Sequence, residues 1–185
     1  MPQPHGHPRA AIELARNKLL TRERLRDSDL LVPWFFPTST TADPSALAAM
    51  VEFPCMIKPL IPTDGRGVLR ADDGAAFRSA FDEVRTLLAS AEFARLDEDD
   101  RTTMLIEGYV EGWEFALEGL LQHGALNTQS LFDTEEPGAI VPEPMRRDIL
   151  DAVGRAIAAI GLYHGPIVAR CRVADRGVYV MSVTP

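Results

Sequence analysis

The segment GPIVARCRV, residues 165–173, alternates strictly. Ile167, Ala169, Cys171 and Val173 fall on one side of an extended chain, and Val168, Arg170 and Arg172 on the other. ADRG follows, with Asp175 and Gly177 suited to a tight reversal, and then VYVMSV, so the two segments read as an antiparallel hairpin. The hairpin calls for a sheet with one face to bury. Its other face carries two arginines side by side, which repel unless an anion or water lies over them.

The rest of the chain mixes helices and strands without a regular strand-helix-strand rhythm. PRAAIELARNKLLTRERLRDSD places Ile12, Leu14, Ala15, Leu19 and Leu25 at helical spacing among charges and predicts one amphipathic helix. VPWFFP is extended and apolar, and DPSALAAM offers Asp43 as an N-cap with Pro44 at the first helical position. CMIKPL and VLRA read as strands joined across the glycine-containing loop IPTDGRG. DDGAAFRSAFDEVRTLLAS predicts a helix with Phe77, Phe81, Val84, Leu87 and Leu88 on one side. TMLIEGYV, EFALEGLLQ and ALNTQSLFD follow as three strands of an antiparallel run. MRRDILDAVGRAIAAIGL is then a helix that buries Ile149, Val153, Ile157 and Ile160. The class is α+β with largely antiparallel sheets. The acidic, weakly patterned EFARLDEDDR is taken as a boundary, giving a flexible tail at 1–14 and two lobes, 15–101 and 102–185.

The 185 residues suffice for one sizeable core or two small lobes, and the net charge of −8 opposes non-specific attraction to nucleic acid or an anionic membrane. Any anion site must be a local basic pocket. No apolar run approaches the roughly 20 residues of a membrane span, and MPQPHGHPRA lacks the apolar stretch of a secretion signal, so the cytoplasm is the expected compartment. Cys55 and Cys171 sit among apolar strand residues and are expected as buried reduced thiols. His5 and His7 lack further ligands in sequence and read as a solvated terminus. Trp34 and Trp113 read as packing residues.

Lys58 stands in an apolar strand immediately before Pro59, where a lysine must reach solvent, pair with a carboxylate or bind an anion. Gly65 and Gly67 would let backbone amides approach a phosphate, with Arg66 between them. A solvated hairpin tip explains Gly-Arg-Gly about as well. LIEGYVEGWEF puts Glu107 at a strand end, Tyr109 and Val110 in extended chain, and Glu114 at the start of another strand.

In order and spacing these motifs resemble the ATP-grasp family of ligases, and most closely its carboxylate-amine ligase branch. The resemblance runs from about Ala15 to Pro185. It rests on NK at Asn17 and Lys18, SDLLVPWFF, FPCMIKPL, DGRGV, LIEGYVEGWEFALEGLL, a helix ending in GLYHGP, and the two closing strands. It implies an ATP-grasp fold of two lobes with a nucleotide cleft between them, and ATP or ADP as ligand. Lys18 and Lys58 would contact phosphates. Glu107, Tyr109 and Val110 would form the segment whose backbone meets adenine, and Glu114 would reach the ribose hydroxyls. Gly65, Arg66 and Gly67 would cover the phosphates, and Arg172 would face phosphate or acyl phosphate.

The chain departs from the family where metal is held. The family's closing strands present carboxylates and an amide to magnesium, whereas Arg170, Ser182 and Thr184 stand here. Magnesium wants anionic oxygen ligands, so the usual site is not expected to form. Asp64 adds a negative charge to the phosphate loop. Three readings follow. One is a degenerate domain that binds nucleotide without transferring phosphate, Arg170 supplying part of the metal's charge. Another is an active ADP-forming ligase completed by Glu118, a partner chain or homo-oligomer, or a further domain. The third is a non-enzymatic interaction module.

Overall fold

The computed structural model describes residues 6–63 and 65–185, so His5 and Asp64 lie outside the described residues. Two units emerge. The first comprises Asn17–Leu19 and Pro33–Tyr109. The second comprises the described residues up to Arg16, Leu20–Val32 and Val110–Pro185.

In the first unit a four-stranded antiparallel sheet has the order β1 (Phe35–Ser39), β4 (Thr103–Gly108), β2 (Cys55–Pro59), β3 (Leu69–Ala71). The expected β2–β3 hairpin is present, with Ile57 opposite Leu69. The helix α3 (Pro44–Ala48) starts where Asp43 accepts from the Ser45 amide, and α4 (Gly74–Ala89) starts where Asp73 accepts from the Ala75 and Ala76 amides. These caps satisfy amides that have no partner inside the helix. Phe77, Phe81, Val84 and Leu88 of α4 pack on Cys55, Ile57, Met104 and Ile106. That leaves Met56, Lys58, Leu105 and Glu107 on the opposite face of the sheet.

The second unit contains a second antiparallel sheet, ordered β6 (Ala125–Asp133), β5 (Trp113–Gln122), β7 (Gly165–Ala174), β8 (Gly177–Thr184). Against one face lies α6 (Glu143–Ile160), whose Ile149, Val153, Ile157 and Ile160 are buried among Leu117, Leu121, Ile167, Ala169 and Cys171. The closing hairpin forms as expected, with Ala174 opposite Gly177. Its register shifts after Arg170, so Arg170 faces Ser182 while Cys171 faces Val180 and Met181 is extra. This bulge keeps Val178, Val180 and Val183 all in the core, which a regular strand could not do with a three-residue step. Arg22, 2% exposed, donates to the Val180 and Met181 carbonyls at 3.4 and 3.0 Å and so satisfies backbone acceptors at the bulge.

Three sequence expectations change. The first amphipathic helix is two, α1 (Arg9–Arg16) and α2 (Lys18–Arg26), because the Lys18 amide donates to the Leu60 carbonyl at 2.7 Å rather than continuing the helical ladder. Residues 9–14 are not part of a flexible tail, since α1 is helical and Ala11 is buried in the second core. The strand β4 does not open a run with β5 and β6. It pairs with β1 and β2, which moves the division from 101/102 to Tyr109/Val110. The α5 helix (Glu98–Thr102) and the Ala91–Phe93 turn that precede β4 belong to the first unit. Among the described residues no helix is long and apolar enough to cross a membrane.

Candidate functional site

Lys58 and Glu107 lie two positions apart diagonally across β2 and β4, where Lys58 registers with Leu105 and Met56 with Glu107. Both side chains point away from α4, and the Lys58 ammonium donates to Glu107 Oε1 in a buried ion pair. Lys58 is 8% exposed and Glu107 0%. Burying either charge alone is costly, so the pair is held by mutual need rather than by large net attraction. Nearby, Lys18 Nζ donates to the Ile61 carbonyl at 2.6 Å.

The glycine loop is built around Arg66. Its amide donates to the Thr63 carbonyl at 3.0 Å, and Gly65 and Gly67 take φ of 83° and 70°. At Gly67 a side chain would also press into Leu87 and Pro59, so both conformation and packing require glycine there. The Arg66 guanidinium grips Glu92 with two bonds of 2.8 and 2.7 Å and lies 5.6 Å from the Phe93 ring centre. Arg66 holds the Glu92 carboxyl below the usual carboxylate range.

The end of β4 and the residue after it are tied down by backbone bonds. Gly108 donates to the Trp34 carbonyl at 2.9 Å and Tyr109 to the Pro54 carbonyl at 3.1 Å, and the Arg70 guanidinium lies 4.1 Å from the Tyr109 ring centre. The Val110 carbonyl accepts from Arg172 Nη1 at 2.9 Å.

The arginine face of β7 has its anion. Glu114 sits on β5 opposite Arg172, and Arg170 is one diagonal step away, opposite Ala116. Arg172 Nη2 donates to Glu114 Oε2 at 2.9 Å, and Arg170 Nη1 donates to Glu114 Oε1 at 3.2 Å. One carboxylate thus lies between two guanidiniums, and the group keeps a net positive charge. Ser182 pairs in register with Arg170 and Thr184 with Val168, on the side away from buried Val183. A guanidinium has no lone pair to give a cation, and two hydroxyls are weak neutral ligands, so these residues do not fit magnesium.

The site residues therefore gather in two sets. Lys18, Lys58, Glu107, Tyr109 and the Gly65–Arg66–Gly67 loop belong to the first unit. Val110, Glu114, Arg170 and Arg172 belong to the second. Lys58 with Glu107 and Glu114 with both arginines form direct pairs, whereas Arg66 is turned to Glu92. Sequence reasoning missed Glu92, Arg70 and Arg22 as partners. Glu118 accepts from Ser130 Oγ at 3.0 Å. Trp113, expected to be packed, is 62% exposed and borders a hollow of about 200 Å³ with Phe115, Ile140 and Met145, on the face of β5 opposite Glu114.

Both thiols are buried, as their strand positions imply. Burial pushes Cys171 up to about 12; burial, helped by Asp72, raises Cys55 to about 11. Neither is expected to react with a disulfide reagent at pH 8 until the protein is unfolded in denaturant; reaction in the folded state at the denatured rate would contradict this burial. The native thiols keep protons that the unfolded ones lose from about pH 8.5 upward, so these groups reduce stability as pH rises beyond that point.

Comparison with known proteins places this geometry. The family model described as an ATP-grasp domain matches residues 51–185. The uncharacterized protein y4rH of Sinorhizobium fredii is 25% identical over 184 residues, 95% of this chain and 37% of that protein. The L-amino acid ligase of Bacillus licheniformis matches with a TM-score of 0.80 and 25% identity over 100% of this chain and 45% of its own. The D-alanine-D-alanine ligase of Coxiella burnetii matches at 0.74 and 15% identity over 97% of this chain and 49% of its own. A D-alanine-D-alanine ligase from Bacillus anthracis, complexed with ATP, matches at 0.71 and 17% identity over 97% of this chain and 56% of its own. The chain spans between about a third and just over half the length of these relatives. With the family model covering well over half of its residues and two antiparallel sheets of the matching kind, the chain belongs to the ATP-grasp family.

Proposed function

We propose that the chain binds an adenine nucleotide, ADP or ATP, with reduced or lost ligase activity, and that magnesium contributes little to the binding. The observation that carries this reading is Arg170. It stands where the resemblance expects a metal-binding glutamate and it bonds to Glu114. A guanidinium can bridge phosphate oxygens and supply part of the charge that a metal would bring. In this reading Lys18 and Lys58 meet phosphate oxygens, the backbone of Glu107, Tyr109 and Val110 meets the base, and Arg172 faces phosphate. Gly65, Arg66 and Gly67 then cover the phosphates once Arg66 exchanges Glu92 for the ligand. ATP would supply a phosphoryl group for making an acyl phosphate, and the residues on β7 and β8 offer no carboxylate to organise that transfer. The expected compartment is the cytoplasm, with nucleotide rather than nucleic acid or membrane as partner.

A second reading is favoured by one observation. Lys58, Arg66, Arg170 and Arg172 each already have a carboxylate partner within their own unit. A protein interaction module that kept the fold without a ligand would look the same. Calorimetric titration with ADP separates the two: weak but saturable binding is expected, and no heat at millimolar ADP would favour the interaction module.

A further inference from the structure

Glu114 is the carboxylate that the resemblance assigns to the ribose hydroxyls, and its position in β5 argues for a different role. Each carboxylate oxygen already accepts one charge-assisted bond, Oε2 from Arg172 at 2.9 Å and Oε1 from Arg170 at 3.2 Å. A carboxylate has further lone pairs, so it is not saturated. Its charge, however, is shared between two cations, and its plane is fixed by bonds from either side. A hydroxyl is a neutral donor and competes poorly with guanidinium for such an acceptor.

Arg172 alone would leave Oε1 available, because it reaches Oε2 and spends its other terminal nitrogen on the Val110 carbonyl. The register explains why Arg170 makes the difference. It stands opposite Ala116, whose short side chain leaves room for the guanidinium to lean one diagonal step toward Glu114. The Arg170 side chain is 56% exposed, so its fork faces solvent beyond the one bond it makes to Glu114. Around Glu114 this face therefore offers donors to oxyanions and little acceptor capacity for hydroxyls.

We propose that Arg170 is a positioning residue that withdraws Glu114 from hydroxyl recognition, so that the site takes a nucleotide by its phosphates and does not distinguish ribose from deoxyribose. The inference rests on the nucleotide-binding reading, and the test separates the two. ADP, 2′-deoxy-ADP and 3′-deoxy-ADP are titrated calorimetrically against the wild type, Arg170→Ser and Arg170→Lys. In the wild type the three dissociation constants are expected to agree within about twofold. Arg170→Ser frees Oε1 and is expected to favour ADP over at least one deoxy form by roughly tenfold, the size of one hydrogen bond to a charged acceptor. Arg170→Lys keeps a cation beside Glu114 and is expected to return the ratio toward that of the wild type. A merely structural role for Arg170 would change all three affinities together. A wild-type preference for ADP of fivefold or more, or an unchanged ratio in Arg170→Ser, overturns the inference while leaving nucleotide binding intact. Failure of all three ligands to bind overturns the nucleotide-binding reading and this inference with it.

Discussion

Glu107→Leu is expected to lower the free energy of unfolding by about 3–5 kcal/mol, because it leaves the Lys58 ammonium, 8% exposed, without the carboxylate that neutralises it. The cost comes from stranding one charge rather than from any large net worth of the pair. A second substitution reveals this. Lys58→Met in the Glu107→Leu background should recover most of the loss, since apolar residues of similar volume replace a buried pair at little cost. Urea titration of the two single variants and the double variant completes a double-mutant cycle. Additive losses in that cycle would show that the two side chains do not depend on each other. The outcome also bears on the proposed nucleotide binding, in which Lys58 would meet a phosphate that exchanges with Glu107 or joins it.

Gly112→Ala is the second change expected to have a large effect, roughly 2–5 kcal/mol of stability, summing a backbone conformation that L-residues avoid with an overpacked contact. Gly112 has a φ of 144°, and a Cβ built on it runs directly into the Val173 carbonyl. The residue turns the chain from Val110 into β5, two positions before Glu114, so the variant should also disturb the Glu114–Arg172 pairing. Thermal unfolding measures the first effect. A Gly112→Ala protein with wild-type stability would mean that the turn has another conformation open to it.

The local grammar of the fold was legible because it is written in neighbouring residues. The alternation in 165–173, the ADRG reversal, the Asp43 cap and the stripe on α4 each depend on a few positions; the structure has the first three and buries Phe77, Phe81, Val84 and Leu88 of the stripe, while Leu87 is only half-buried. Partners far apart in the chain were not legible. β4 pairs with β1 and β2, and nothing in TMLIEGYV distinguishes those partners from β5, which follows it directly. The helix breaks at Asn17 because the Lys18 amide donates to the Leu60 carbonyl, which no helical periodicity can announce. Arg22 sits in a charged stretch that reads as a solvated face, yet it is buried because the bulge in β8 exposes carbonyls that need a donor.

The site divides the same way. The two arginines facing one direction raised the right question, and the sequence held the answer. Glu114 lies on the polar side of a predicted strand, and an acid there is a natural counter-charge for an arginine strand beside it. Reading Glu114 through the resemblance, as a ribose contact, hid that pairing. The bidentate Arg66–Glu92 contact was hidden by distance alone, since 26 residues and a helix separate the partners.

In the proposed reading this ATP-grasp chain holds nucleotide through its own cations, without magnesium. Calorimetric titration of ADP into the wild-type protein, once with excess magnesium and once with a chelator, is the decisive measurement. Saturable binding is expected in both, with a dissociation constant of about 0.1–1 mM, roughly 4–5.5 kcal/mol, and a change of less than about twofold on adding the metal. Binding that appears only with magnesium, or none at millimolar ADP under either condition, would contradict that reading.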